Sequence, residues 1–472
     1  MAHLGLVGIG VMGSAFALNL AENGHDVSML DRTKDKMSAV AHEATTAGLR
    51  GALSGFLDPK EFLSSLLTPK TVLILVPAGG PLDAVIASLK PHLSRGDILA
   101  DLGNSNWEET ERRGADLDPF GIRFLGMGIS GGADGARHGP SIMAGGSPDS
   151  WSALEGPLKD AAATFEGEPC CAWFGPGGSG HFIKMLHNGI EYADMQLIAE
   201  AYGLMRDGLG MDAAATGDVF EGWMNGPLNS YLIEIAAEVC RASDPKTGNA
   251  MLDMIHDAAG QKGTGRWSVI EALHLGAATS MMVAAVEARN ISADWDARQA
   301  FEERFGSGAG KLSDDRSVFL KRLETAMLAA KVGAYTQGFN VLARASDTFG
   351  WGLDLAAIAR VWRAGCIIRS VMLDEISDAF EANPGGDLAQ APIFAERLAS
   401  GATSLRETVV AGISANHAMP SFGAALNYYN LRRTGRGTAN MIQGLRDRFG
   451  AHSFERIDDR GVFSNGPWHR SD

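Results

Sequence analysis

Lys184, His187, Asn188, Glu191 and Tyr192 occupy positions i, i+3, i+4, i+7 and i+8 of one stretch. On an α-helix, at about 100° per residue, they form one stripe roughly 140° wide. Ile183, Met185, Leu186, Ile190 and Ala193 fill the other side, so the stripe is not the wet face of a surface helix. A lysine, a glutamate and a histidine aimed together from a helix with an apolar back read as a reaction site.

Three further stretches carry groups able to hold an anion. Gly126-Met127-Gly128-Ile129-Ser130-Gly131-Gly132 offers backbone N–H groups and a hydroxyl, a natural nest for a carboxylate. Gln261-Lys262-Gly263-Thr264-Gly265 offers an amine and a hydroxyl to a phosphate, and Arg446 and His452 add two groups near the C-terminus. The net charge of −15 argues against a nucleic-acid surface, so these local groups must hold anions against the global field.

Gly8-Ile9-Gly10-Val11-Met12-Gly13 follows an apolar run and precedes the helical run Ser14–Leu20. In that context the glycines suit a dinucleotide: a tight turn at the first, backbone approach to pyrophosphate at the second, close helix packing at the third. The helix N-terminus favours the negative charge. Asp31 ends the second predicted strand, where an acidic residue grips the ribose hydroxyls of NAD. Arg32, Thr33 and Lys34 follow at once and suit the 2′-phosphate of NADP. The two signals conflict.

These groups need elements to position them. Leu4–Val7, Val27–Leu30, Val72–Val76, Ile98–Ala100 and Phe124–Leu125 are candidate strands separated by helix-length segments, which predicts β-α-β units on a parallel sheet. Beyond residue 178 the texture becomes helical, as in Met195–Met205 and Leu320–Ala345. The expected division is a dinucleotide-binding domain at 1–178, an all-helical domain at 179–434 and a tail at 435–472 that must lie on its own body or a partner subunit. Four cysteines without C-x-x-C or His-rich spacing predict no metal site and a reducing cytosol. No apolar run has transmembrane length and no basic leader precedes Leu4, so a soluble cytoplasmic protein is expected.

Taken together, Gly8–Gly13, Asp101-Leu102-Gly103-Asn104, Phe124–Gly146, Gly180–Tyr202, Gly260–Trp267 and Arg446–His452 resemble the decarboxylating 6-phosphogluconate dehydrogenases. Weaker matches at Tyr335–Phe339 and Ile367–Arg369 extend the resemblance along nearly the whole chain. It implies a Rossmann-type α/β domain, a large all-α domain and a C-terminal tail reaching the second subunit of a homodimer with shared active sites. It also implies oxidation of 6-phosphogluconate at C3 by NADP, loss of CO₂ and formation of ribulose 5-phosphate, in the oxidative pentose phosphate pathway and gluconate utilization, without a metal.

By that resemblance Lys184 is the general base and Glu191 the acid that protonates the carbon left by CO₂. Seven helical residues set their backbones about 10 Å apart, within reach of one sugar acid. A basic lysine near neutrality needs its pKa lowered by about two to three units, and the glutamate needs its own raised. Ser130, Gly131, Gly132, His187 and Asn188 match positions that hold the substrate's carboxylate and hydroxyls, and Asn104 one shared with the cofactor. Tyr192, Lys262, Thr264 and Arg289 match a phosphate clamp, with Arg446 and His452 supplied by the neighbouring subunit. Gly8, Ile9, Gly10, Val11, Met12, Gly13, Asp31, Arg32, Thr33, Val76, Pro77, Ala78 and Asn104 match the cofactor positions.

The chain departs from the family at Asp31, usually asparagine or a small residue, which brings NAD in as an alternative acceptor. Pro77 replaces a lysine, Arg266 replaces another while keeping its charge, and the Gly461–Trp468 stretch lacks a threonine. Two rival readings are a β-hydroxyacid dehydrogenase acting on a smaller acid and a non-catalytic nucleotide sensor. Length, Lys262, Arg446 and His452 oppose the first; the intact Lys184, His187, Asn188 and Glu191 oppose the second.

Overall fold

The computed structural model of the chain describes residues 1–468, which fall into two compact units, Met1–Ala425 and a second from Leu426 onward. In the first unit, β1 (Leu4–Val7), β2 (Val27–Leu30), β3 (Leu53–Phe56), β4 (Thr71–Ile74), β5 (Ile98–Asp101), β6 (Arg123–Ser130) and β7 (Ser141–Ala144) build most of one sheet. A small ladder, β8 (Thr164–Phe165) with β9 (Glu168–Pro169), precedes the last sheet strand, β10 (Cys171–Trp173). The strand order is β10-β7-β6-β5-β4-β1-β2-β3, parallel except where β6 meets β7. Alternation decides the faces: Leu4, Leu6, Val27, Met29 and Leu73 join one core, while Val7, Leu30, Val72 and Ile74 join the other. Burial on both faces is why these strands read as continuous apolar runs.

Strand β6 runs through most of the stretch expected to be a nest. Gly126 to Ser130 lie in the sheet, and only Gly131, at φ 107°, turns the chain into helix Gly132–His138. The anion-holding backbone is therefore confined to the strand end and the helix start.

Helix Ser179–Gly203, hereafter the site helix, lies directly on this sheet, and glycine makes that closeness tolerable. A Cβ on Gly128 would stand 2.1 Å from Lys184 Cβ, and one on Gly180 would stand 2.5 Å from the carbonyl oxygens of Gly126 and Met143. Helix Arg316–Phe349 packs behind the site helix and pins it through a buried ion pair, Lys331 Nζ to Asp194 Oδ2 at 2.9 Å. Helix Thr264–His274 is tied to it by Ser268, whose hydroxyl donates to the Met185 carbonyl at 2.7 Å.

The second unit holds helix Ala439–Gly450 and a short hairpin, Phe454–Glu455 with Phe463–Ser464. Its hub is the buried Asp447, whose carboxylate accepts N–H groups from Ser453, Gly466 and the Trp468 indole.

Because Gly128 and Lys184 are in van der Waals contact, Gly128→Ala is expected to push the site helix off the sheet. The cost should be about 1–3 kcal/mol, read as a lowered denaturant midpoint; an unchanged midpoint would contradict this packing.

Candidate active site

The site helix presents Lys184, His187, Asn188 and Tyr192 as buried side chains, with Glu191 at their edge. His187 links them. Its Nδ1 lies 3.3 Å from Lys184 Nζ, 3.0 Å from Asn188 Oδ1 and 3.8 Å from Glu191 Oε2. On the other side of the ring, Nε2 lies 3.2 Å from the Ser130 hydroxyl at the end of β6. The Trp362 indole meets the imidazole edge to face, 5.5 Å between centroids. Ring orientation is thus fixed from both the sheet and the helical part.

Burial sets the electrostatics. It lowers the Lys184 amine to about 8 despite the opposing pull of Glu191 and Cys366. It also raises the Glu191 carboxyl, against the opposing charges of Lys184 and Arg289 and with help from Asp194. His187 is driven well below its ordinary value by burial and by Lys184, so the ring is neutral. A neutral imidazole carries one ring proton, and the Asn188 amide oxygen, which can only accept, holds it on Nδ1. Nε2 is then free to accept from the Ser130 hydroxyl, and the uncharged Lys184 amine can share the Nδ1–H. The row is suited to holding and moving protons beside a bound hydroxy acid.

Tyr192 extends the row toward a cationic edge. Its ring packs on Gly265, where a Cβ would come within 2.4 Å, and the Arg289 guanidinium stacks 3.5 Å from its centroid. Thr264 is buried at the start of its helix. Lys262 is exposed on the preceding loop, which is fastened to the Arg289 helix by Gln261 donating to Asn290 at 2.6 Å. Asn104 is exposed on the turn after β5. Arg446 and His452 lie in the second unit, both exposed, with Arg446 donating to Gln443 at 3.1 Å.

A cleft of about 670 Å³ opens at the C-terminal ends of β1, β2 and β4. Gly8, Gly10, Asp31, Arg32, Thr33, Val76 and Pro77 line it, together with Lys36, which sequence reasoning did not select. Gly8 takes φ 95°, Gly13 backs onto the Gly8 carbonyl so closely that a Cβ would sit 1.9 Å away, and Gly10 faces open space. No side chain caps the following helix, Val11–Glu22. Its free N–H groups and the open Gly10 fit a pyrophosphate. Asp31 is occupied: its carboxylate accepts the N–H of Ile9 at 2.8 Å and of Thr33 at 2.9 Å. Ile9, Val11, Met12 and Ala78 are not among the residues lining this cleft.

Sequence reasoning also missed a buried cluster beneath the Asn104 turn, formed by Asp101, Ser105, Thr110 and His181. His181 stands three residues before Lys184 and so on the same helical face; extending the stripe one turn upstream would have found it.

Holding an amine at about 8 inside the protein has a thermodynamic sign. The folded value lies below the ordinary 10.5, so protons favour the unfolded chain. Stability falls as the pH drops from the unfolded value to the folded one and stays reduced below it. Lys184→Met should therefore raise stability at neutral pH by up to about 3 kcal/mol, with the gain shrinking as the pH nears that of free lysine. A lower melting temperature at pH 7 would contradict the shift.

Comparison with known proteins identifies the family. Residues 3–175 match the model of the NAD binding domain of 6-phosphogluconate dehydrogenase, and residues 180–468 match that of the 6-phosphogluconate dehydrogenase C-terminal domain. The NAD(+)-dependent, decarboxylating 6-phosphogluconate dehydrogenase of Bacillus subtilis is 43% identical over 98% of each chain. The decarboxylating enzyme of Chlamydia pneumoniae is 42% identical over 99% of this chain and 97% of its own. A solved structure of Plasmodium falciparum 6-phosphogluconate dehydrogenase, from a study of its apo form and its complexes with NADP⁺ and 6-phosphogluconate, superposes with a TM-score of 0.94. It is 36% identical and covers 99% of this chain and 100% of that one. With both parts matched and relatives aligned end to end, the chain belongs to the 6-phosphogluconate dehydrogenase family.

Proposed function

We propose that the chain oxidatively decarboxylates 6-phospho-D-gluconate to ribulose 5-phosphate and CO₂ with reduction of NADP, and that Lys184 and Glu191 carry the proton transfers. The observation that carries this reading is the buried row Lys184–His187–Glu191, in which the amine is lowered to about 8 and the carboxyl is raised. The two groups are tuned in the directions that a base and an acid at one substrate require.

The dinucleotide, when bound at the Gly8–Gly13 turn, supplies the hydride acceptor. Lys184 takes the proton of the C3 hydroxyl as the C3 hydrogen leaves as hydride. The product is a β-keto acid, whose C1–C2 bond breaks to release CO₂ while Lys184 returns its proton to the C3 oxygen. Glu191 then protonates C2 of the enediol, and the hydroxyl proton of the enediol passes back to Lys184. His187, Asn188, Ser130, Gly131, Gly132 and Asn104 hold the carboxylate and hydroxyls in this scheme. Tyr192, Lys262, Thr264 and Arg289 hold the 6-phosphate, for which charge-assisted bonds from lysine and arginine are the strong kind.

Arg32, Thr33 and Lys36 at the cleft suit the 2′-phosphate of NADP. The Asp31 carboxylate adds negative charge there and retains lone pairs for a ribose hydroxyl, so NAD is admitted as a second acceptor. The NAD(+)-dependent Bacillus subtilis relative is in keeping with that.

A homodimer with shared active sites completes the reading, with Arg446 and His452 serving the neighbouring subunit's phosphate. Met441, Ile442, Leu445 and Phe449 support it, being exposed along one helix; such an apolar surface favours a partner. Functionally the chain divides at 1–178, 179–434 and 435–472. Among the described residues no helix is long and apolar enough to cross a membrane, and all four cysteines are free and buried. The cytoplasm is the proposed location, with no nucleic-acid partner.

Purified protein given 6-phosphogluconate with NADP, and separately with NAD, should yield CO₂ and ribulose 5-phosphate. Arg446→Ala should raise the KM for 6-phosphogluconate by about ten- to a hundredfold, the value of one lost charged hydrogen bond, with little change in the KM for the dinucleotide. Oxidation of a smaller hydroxy acid without CO₂ release would refute the reaction, and a fully active monomer would refute the shared site.

A further inference from the structure

His181 lies one turn before Lys184 on the site helix and is 1% exposed. Its Nδ1 is 2.7 Å from the Thr110 hydroxyl, which also stands 3.2 Å from the Asn106 carbonyl. Nε2 faces acceptors, the Asp101 carboxylate and the backbone carbonyls of Asp101 and Gly103, so the ring proton sits on Nε2 and the Thr110 hydroxyl donates to Nδ1. That Nε2–H makes no hydrogen bond of ordinary geometry: it faces Asp101 Oδ2 at 3.8 Å and is held only weakly by the backbone of Asp101 and Gly103. Burial keeps the imidazole neutral, with Arg113 acting in the same sense and the Asp101 and Gly103 contacts against it. A buried donor so poorly satisfied beside a carboxylate is costly.

The ring is not free to seek another partner, because it packs on strand β6: a Cβ on Gly126 would stand 2.6 Å from Nδ1. The opposing group belongs to a turn. Asp101 ends β5, and its carboxylate clasps the turn that presents Asn104, accepting the Gly103 N–H at 2.9 Å and the Ser105 hydroxyl at 2.5 Å. Gly103 leans on the wall of the dinucleotide cleft, where a Cβ would meet the Val76 carbonyl at 3.3 Å. Ligands on Asn104 and at Val76 therefore act on one clasped turn, and the turn faces a poorly satisfied N–H on the helix of Lys184.

We propose that His181 is a positioning residue whose Nε2–H closes onto the Asp101 carboxylate when bound ligands draw in the Asn104 turn, fixing Asn104 in register with Lys184. The inference rests on the reading of Asn104 as a group shared by substrate and cofactor. His181 touches neither ligand; it acts through Asp101.

The test compares the wild type with His181→Phe, His181→Gln, Thr110→Val and Asn104→Ala, using 6-phosphogluconate with NADP and NAD. A misplacement of ~1 Å costs on the order of a hundredfold, so His181→Phe should lower kcat/KM for 6-phosphogluconate by about that factor. Dinucleotide binding measured alone should stay within about twofold, because His181 touches neither ligand. Glutamine, which returns an N–H near the Nε2 position, should recover about tenfold of the loss. Thr110→Val, which removes the donor to Nδ1, should show a smaller loss of the same kind and serves if the phenylalanine variant does not fold. The inference is overturned if His181→Phe keeps wild-type kcat/KM while Asn104→Ala loses it. It is equally overturned if phenylalanine and glutamine lose activity alike and in step with melting temperature. An inactive wild type, or an unimpaired Asn104→Ala, would instead refute the underlying functional reading.

Discussion

The chemistry of this chain depends on how closely helix Ser179–Gly203 lies on strand β6. Gly128 lets the backbone of the strand approach Lys184 at its Cβ, and Lys184 is buried there. Desolvation is the largest influence on Lys184 and, independently, on Glu191. It pushes the two groups in opposite senses, because burial always disfavours the charged form: the amine sheds its proton more readily and the carboxyl keeps its own. Burial thus shifts the two groups in the directions that a base and an acid at one substrate would need.

Such a row is unstable in isolation, so the surrounding elements must hold it. Lys331 pins Asp194 one turn below Glu191, and Ser268 holds the backbone at Met185 from the opposite side. Removing either partner of this buried ion pair would leave an uncompensated charge, so Lys331 holds the helix in place and its loss would destabilise the fold. Trp362 and Ser130 orient His187 from two directions. The sheet supplies the dinucleotide cleft at its strand ends, and the same sheet supplies the surface on which the site helix sits. The dinucleotide cleft and the Lys184–Glu191 row therefore share one sheet as their platform.

Much of this was legible in the sequence, for physical reasons that differ from element to element. β1, β2, β4 and β5 are buried on both faces and so appear as uninterrupted apolar runs. β3 escaped because its Ser54 and Gly55 are exposed at the sheet edge, β7 because Pro140 and Gly145 bracket it, and β10 because it is only three residues long. The stripe from Lys184 to Tyr192 was readable from helical periodicity alone. His181 shares its face, yet its partners Asp101 and Thr110 lie 80 and 71 positions away in sequence, and only the folded sheet brings them together. Asp447 escaped for a similar reason: an aspartate among tail arginines reads as surface charge until the chain folds back to bury it beneath Trp468. The Gly126–Gly132 stretch misled because glycines that allow helix-on-strand contact look the same, in sequence, as glycines that bend a loop.

The central claim is that burial lowers the Lys184 amine to about 8, far enough to leave a usable uncharged fraction at physiological pH. Protein carrying ¹³C at the lysine ε-carbons can be titrated by NMR, with Lys184→Met identifying the signal. One resonance should titrate at about 8 and vanish in the variant; if the Lys184 resonance titrates with the surface lysines above pH 10, the account of this site is wrong.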